Sequence, residues 1–528
     1  MKTIWHNAVF YTMQNEGHTI EALLTENSKI LTTGSYEELR IHAAQEIDLQ
    51  GAVVFPGFID NHMHIIGQGE KLLRLDLSQA ASSEELMQML RGAYRNLRED
   101  EWFIGEGWDE QNFPDKKIPT RCELDSITDS PMLLKRTCWH AAVVNSKALE
   151  LAGITKDTPD PEDGVIERDE SGEPTGLLKE SAMHRVLQLL PEPSESYVTK
   201  ALRTSVDHLL SVGLTGVVTD DLGYYGSYQT PLQAFKNVLG GECKFRVHLL
   251  RHFSVFQQLM DDRATYNEPW AEPGEMKFFI DGAFGGSTAL LSSPYADEPD
   301  NIGTTVVTDE ELEELVKLAR TYGEAVAIHM IGDQAVEKAL DVIEKHPAPA
   351  GKRDRFIHVC LLRDDLVNRM AKLPIVLDIQ PAFVPSDFPW IEDRLGTHRM
   401  NCAYAWKRLI DRAFIVGGGS DAPIEDPSPL LGMHAAIERR QPGDQHDGYL
   451  PNEKLSRYEA VQLFTSGAAA TIGKTDSRGR IAEGFDADFT ILSEDLFTVP
   501  VDRIPDIPIY MTVVAGEIMY RASEKSGS

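Results

Sequence analysis

The chain opens with short segments in which apolar and polar residues alternate: Thr3 to Phe10, Glu21 to Thr25, Lys29 to Thr33 and Ala44 to Leu49, separated by turn formers such as Asn15-Glu16-Gly17 and Gly34-Ser35. Alternation with period two predicts strands of a small antiparallel unit. The same texture returns at Asp488 to Leu492, Ile509 to Ala515 and Glu517 to Tyr520. Because chain ends often lie close together, the two sets are expected to form one composite β-sandwich from residues 1–52 and 475–528. Between them the pattern changes: continuous apolar, β-rich runs alternate with helical periodicity, as in βα units around a parallel sheet. Eight such runs are present: Val53 to Asp60, Gly213 to Asp220, Lys244 to Leu250, Met276 to Asp281, Ala325 to His329, Arg355 to Val359, Pro374 to Gln380 and Ala413 to Gly418. With helices such as Asp309 to Tyr322 and Gln334 to His346 between them, they predict an α/β fold, a (β/α)₈ TIM barrel over 53–76 and 191–474.

The stretch between the first and second runs is too long for one connection. It holds helical periodicity at Ser82 to Glu99 and Ser194 to Ser211, and loop-like sequence at Asp157-Thr158-Pro159-Asp160-Pro161 and Glu170-Ser171-Gly172-Glu173-Pro174. An inserted subdomain over 77–190, after the first barrel strand, accounts for it.

Composition narrows the partners. At 528 residues the chain exceeds one simple domain, and its formal charge of −32 disfavours phosphate backbones and anionic lipid surfaces. No nucleic acid is expected as a partner. No segment is apolar enough to span a bilayer, so no membrane is expected either. The five cysteines (Cys122, Cys138, Cys243, Cys360 and Cys402) form no CxxC pair, which argues against a disulfide framework or a thiolate zinc site and suits a cytoplasmic protein. A homo-oligomer stays open.

Candidate chemistry gathers at strand ends. Phe55-Pro56-Gly57-Phe58-Ile59-Asp60-Asn61-His62-Met63-His64 is an apolar strand closing on two histidines one residue apart. Side chains at i and i+2 of an extended chain point the same way, so His62 and His64 can reach one ion. His329 closes the fifth run, His358 the sixth, and Asp421 follows Gly417-Gly418-Gly419-Ser420 after the eighth. Each lies where a barrel displays its catalytic groups. Imidazole nitrogens with a carboxylate suit one or two divalent ions, Zn²⁺ ahead of Fe²⁺, Mn²⁺ or Ni²⁺. The glycine run lacks GxGxxG spacing, so it is read as letting the backbone approach a metal centre and not as a dinucleotide fingerprint.

With these residues in place the chain resembles the amidohydrolase superfamily, and within it the YtcJ-like branch of amidohydrolase family 3. Besides the HxH strand and Ser420-Asp421-Ala422-Pro423, the resemblance rests on Gly107-Trp108-Asp109, Pro119-Thr120-Arg121 with Leu124-Asp125, and His140 with Asn145-Ser146-Lys147-Ala148-Leu149. It continues through Lys277 with Asp281-Gly282-Ala283, His329 with Gly332-Asp333, and the run Gly479 to Asp488. The resemblance implies a metal-dependent hydrolase of C–N bonds (amide, formamide or cyclic amide) acting on a small-molecule substrate. It implies metal ligands at His62, His64, His329, His358 and Asp421, and two metals bridged by a carboxylated lysine. Lys277 is favoured for that lysine over Lys179; an uncarboxylated Lys277 paired with Asp281, and a mononuclear site, stay open. Metal-activated water would attack the carbonyl, with Asp421 as general base and then acid. Asp281, Trp108 and His140 are expected to contact substrate, with Tyr295 a further loop aromatic near it. Two rival readings remain: a metal-dependent hydrolase or lyase of a non-amide substrate such as an ester, and a non-catalytic metal-binding regulatory protein.

Overall fold

The computed structural model describes residues 2–94, 102–110, 113–136, 141–161, 164–190 and 192–523. They form two compact units, one of Met1–Gln68 with Glu195–Ser528 and one of Gly69–Ser194.

The first unit carries the barrel. Eight parallel strands neighbour one another in chain order: Phe58–Met63, Leu214–Thr219, Arg246–His252, Ala271–Phe279, Val326–Met330, Asp354–His358, Ile375–Ile379 and Val416–Gly418. Helices return the chain between strands. Asp309–Thr321 starts at a capping box in which Thr308 accepts from the Glu311 backbone N–H and Glu311 reaches back to that of Thr308. Helix Asp333–Lys345 buries Ala335, Val336, Ala339, Leu340 and Ile343, the one-sided stripe its periodicity predicts. The last and first strands meet at their carboxyl ends, where Asp421 N donates to His62 O at 2.7 Å and His64 N to Ala422 O at 2.7 Å. Glycine makes this approach feasible, because a Cβ on Gly419 would lie 2.5 Å from the His62 nitrogen and one on Gly417 2.4 Å from the Asn61 side chain.

Both chain ends build the remaining sheets. One orders Lys29–Gly34, Ala22–Glu26, Thr3–His6 and Gln45–Asp48; the other orders Glu517–Arg521, Ile509–Val514, Phe489–Leu492, Val53–Pro56, Val9–Tyr11 and Thr19–Ile20. Trp5, Phe10, Leu23, Val54, Phe489, Ile491 and Val513 share one buried cluster between them, as expected for a sandwich. One boundary is corrected here. The run read as a single strand from Val53 to Asp60 is two strands: Val53–Pro56 pairs antiparallel with Phe489–Leu492 in the sandwich, and the barrel strand starts at Phe58. Gly57 makes the change of sheet, since any Cβ there would meet Thr215 at 2.3 Å.

The second unit is a six-stranded sheet ordered Gly164–Arg168, Pro174–Glu180, Ala141–Val144, Met132–Arg136, Phe103–Trp108 and Leu75–Asp76. Helix Ser83–Ala93 buries Leu86, Met87 and Leu90 in its core.

Candidate metal centre

Residues from five barrel strand ends converge. His62 and His64 leave the first strand on one face, and their Nε2 atoms stand 3.6 and 3.7 Å from Asp421 Oδ1. These separations are long for hydrogen bonds. They are close to the roughly 3.3 Å between two ligands of one tetrahedral ion at bonds of about 2.0–2.1 Å. One donor atom from each of the three residues lies within 4.8 Å of the others. The His358 ring centroid is 5.5 Å from that of His62 and 4.5 Å from that of His329. Lys277, fully buried in the fourth strand, brings Nζ to 3.5 Å from His62 Nε2.

Hydrogen bonds orient the imidazoles. A backbone carbonyl only accepts, so the 2.7 Å contact of His64 Nδ1 with Asp220 O fixes the proton on Nδ1 and leaves a lone pair on Nε2. His358 Nδ1 lies 2.8 Å from Gln380 Oε1, which leaves its Nε2 free in the same way. His329 is reversed: Nε2 faces Gly282 O at 3.1 Å, leaving Nδ1 as its donor. His62 Nδ1 is buried without a hydrogen-bond partner among the described residues.

Electrostatics agree with ligation by neutral imidazole. Burial, reinforced by the Lys277 charge, lowers His64 to about 4 and His329 to about 3, and holds His62 well below the usual histidine range. Burial, with His329 and Lys277 beside it, does the same to His358. Burial also pushes the Lys277 ammonium down, against the pull of Asp220, Asp421 and Asp378. Asp421 is pushed up by burial, with Lys277 opposing.

Backbone strain is present here. His358, Val359 and Asp421 have φ of 73°, 44° and 56°, in the left-handed region that costs a non-glycine residue, a β-branched one above all. The surroundings hold them there. Asp60 accepts from the His62 and Ser420 backbone N–H groups, at 3.0 Å each. Val359 N donates to Met330 O at 2.9 Å.

The amidohydrolase family's sequence profile matches residues 45–520. The chain belongs to the amidohydrolase family. It is 46% identical over 530 residues to Bacillus subtilis YtcJ, which carries the name of an amidohydrolase, with 99% of this chain and 100% of that one covered. It is 27% identical over 551 residues to the N-substituted formamide deformylase of Arthrobacter pascens, covering 99% and 98% of the two chains. Among solved structures, a metal-dependent hydrolase from Pyrococcus furiosus superposes with a TM-score of 0.80 at 30% identity, covering 94% of this chain and 100% of that one. This amidohydrolase is therefore a hydrolase of that superfamily with a barrel-and-sandwich fold and a small-molecule substrate. Its His-His-Asp group matches a divalent metal.

Asp281 borders this centre, its Oδ1 3.7 Å from His329 Nε2. Asp281, expected to touch substrate, is 2% exposed, and its carboxylate accepts backbone N–H groups of Leu290 at 2.9 Å, Ile331 at 3.0 Å and Gly332 at 2.8 Å. Three loop donors that would otherwise go unpaired claim it, and it holds the loops after strands four and five. Trp108 lies fully buried in the core of the second unit, donating from Nε1 to Leu134 O at 3.0 Å. Tyr295 is likewise buried, its hydroxyl on Ala289 O at 2.8 Å. Lys179 is exposed on the strand Pro174–Glu180 of the second unit. His140 lies outside the described residues. Conversely, Asp220 at the end of the second strand and His252 at the end of the third were missed. The strand-end rule that found the other candidate residues points to Asp220 as well, and His252 was hidden because the third strand was closed at Leu250 when it runs to His252.

Proposed function

We propose that the chain hydrolyses a C–N bond of an amide, formamide or cyclic amide at this centre. The observation that carries the reading is the convergence of His62, His64 and Asp421 donors within 4.8 Å, with the His329 and His358 rings beside them. His62, His64 and Asp421 would hold one ion and His329 and His358 a second, with Zn²⁺ favoured by the nitrogen-rich donor set. Lys277 would bridge the two as a carbamate. Carboxylation requires a neutral amine, and the burial that disfavours the Lys277 ammonium supports that state. A divalent ion supplies Lewis acidity toward water and the substrate carbonyl.

The protein's own groups do the rest. Asp421 takes a proton from the attacking water and delivers it to the leaving nitrogen; the burial that raises its affinity for a proton suits both halves of that role. Asp60 fixes the Ser420 and His62 backbone, so the carboxylate and the imidazole keep their spacing. The unpaired thiols Cys122, Cys243, Cys360 and Cys402 suit a reducing, cytoplasmic setting.

The test is a panel of N-formyl, N-acyl, cyclic amide and ester substrates, assayed with metal-loaded protein and with Asp421→Asn. Amide cleavage that collapses in the variant is the expected result. Cleavage of esters alone removes the C–N assignment, and unchanged turnover in the variant removes the role of Asp421.

A further inference from the structure

The face of the metal centre turned toward solvent is aromatic. Three rings, each packed on a different metal-binding histidine, stand around it: Tyr224 edge-on to His64 with centroids 5.6 Å apart, Phe279 against His329 at 5.1 Å, and Phe383 stacked on His358 at 6.0 Å with 13° between planes. None of the three is buried, and Tyr224 is 46% exposed, so the rings are open on the side away from the histidines they pack on. His252 closes the gap between two of them, 5.0 Å from Tyr224 and 6.1 Å from Phe279. Its Nδ1 is engaged by Ser254 Oγ at 2.8 Å, which fixes the plane of its ring.

Tyr224 is moored. Its hydroxyl donates to Asp220 Oδ2 at 2.9 Å, and Asp220 is fully buried, its backbone carbonyl bonded to His64. The ring is therefore fixed relative to the centre although its face is open to solvent. The buried Asp220 carboxylate, which also acts on the Lys277 ammonium, thus fixes an open ring beside the histidines. A preorganised aromatic wall beside reacting atoms is what a binding site for a flat group requires.

We infer that Tyr224, Phe279 and Phe383 form the subsite for a planar, apolar substituent of the substrate, and that Tyr224 is its specificity-determining wall. The inference rests on the C–N reading for the role of that substituent, which would be carried on the amide. The subsite itself is a matter of shape and stands apart from which bond breaks.

The probes therefore lack a C–N bond. Acetophenone and cyclohexyl methyl ketone are of similar size, and only the first is flat. Their affinities for the metal-loaded protein are measured by calorimetry, alongside Tyr224→Phe and Tyr224→Ala, with thermal unfolding as the check on folding. Acetophenone is expected to bind about three- to tenfold tighter than the cyclohexyl ketone. Tyr224→Phe, which keeps the ring, should retain most of that ratio, and Tyr224→Ala should bring it to near one. Equal affinities in the unmodified protein, no binding of either ketone, or a ratio unaffected by Tyr224→Ala in a folded protein overturns the subsite. If the ketone ratio holds while no amide is cleaved, the C–N reading fails and the subsite survives.

Discussion

The two ends of the barrel interior are both polar, and they differ in what their polar groups lack. Toward the amino-terminal ends of the strands, Arg355 donates to both Asp378 oxygens at 2.8 and 2.9 Å and to Thr471 O at 3.1 Å, and stands 3.4 Å from Glu275. Glu275 in turn meets His248 Nε2 at 2.8 Å, and Asn61 links Asp378 to the Thr471 hydroxyl. Opposite charges meet at hydrogen-bond distance. At the carboxyl-terminal ends, His62 and His64 Nε2 stand 3.6 and 3.7 Å from Asp421 Oδ1, and His358, Val359 and Asp421 are held at positive φ. A charge-paired network is costly to break from one side; a set of donors aimed at a shared gap is arranged for something that enters it. The lesson is that burial of charge does not by itself mark a site, whereas buried charge without a protein partner at bonding distance does.

That contrast can be broken from either end. The largest effect is expected from Asp421→Asn, which removes proton transfer and should lower kcat by about 10²–10⁴-fold on whichever amide is cleaved, with little change in denaturant midpoint. Steady-state kinetics and urea titration of the same preparation decide it; a large loss of stability would place Asp421 with the scaffold. Next comes Arg355→Met, which leaves Asp378 and Glu275 buried without their counter-charge and should cost about 3–5 kcal/mol in chemical denaturation. Retention of stability there would mean that the lower network holds nothing together. Gly419→Ala probes the seam between the last and first strands, because its Cβ would lie 2.5 Å from His62 N and 2.8 Å from Asp60 Oδ1. A cost of about 1–3 kcal/mol is expected, with reduced metal content by elemental analysis because the HxH segment must shift.

The smallest effect is a pH dependence. Burial alone raises the Glu275 carboxyl, but Arg355 and His248 more than offset it and hold it well below the ordinary 4.5. A carboxylate with a depressed pKa in the folded state contributes stability that is complete above the unfolded value. That stability is lost as pH falls from about 4.5 toward the folded value. Glu275→Gln should therefore flatten the stability profile below about pH 4.5, and acid titration followed by far-UV circular dichroism checks it. A steeper profile in the variant would contradict the sign.

Much of the barrel was legible because its signals are local. A buried parallel strand needs a continuous apolar run, a surface helix needs its stripe, and a strand end needs only one polar residue to be conspicuous; hence His62, His64, His329, His358 and Asp421 all stand where the runs stop. Lys277 was visible through resemblance, since a lysine inside a strand has no local signature of its function. The errors arose where contacts came from far along the chain. Val53–Pro56 and Phe58–Met63 read as one apolar run, because both are buried and only their partners, Phe489–Leu492 and Leu214–Thr219, assign them to different sheets. Asp281 shares period-two phase with Lys277, which suggested an inward-facing substrate contact; its carboxylate accepts the loop amides of Leu290, Ile331 and Gly332 and stands 3.7 Å from His329 Nε2.

What the amino-acid order determined by itself, then, was the alternation of elements and the chemical types waiting at their ends, because periodicity and residue type are properties of neighbouring positions. Tertiary structure decided which of those groups share a space, which nitrogen of each histidine is left free, and that Tyr224, Phe279 and Phe383 ring the centre. Those depend on hydrogen bonds and ring contacts between residues tens to hundreds of positions apart, which only the closed barrel brings within reach.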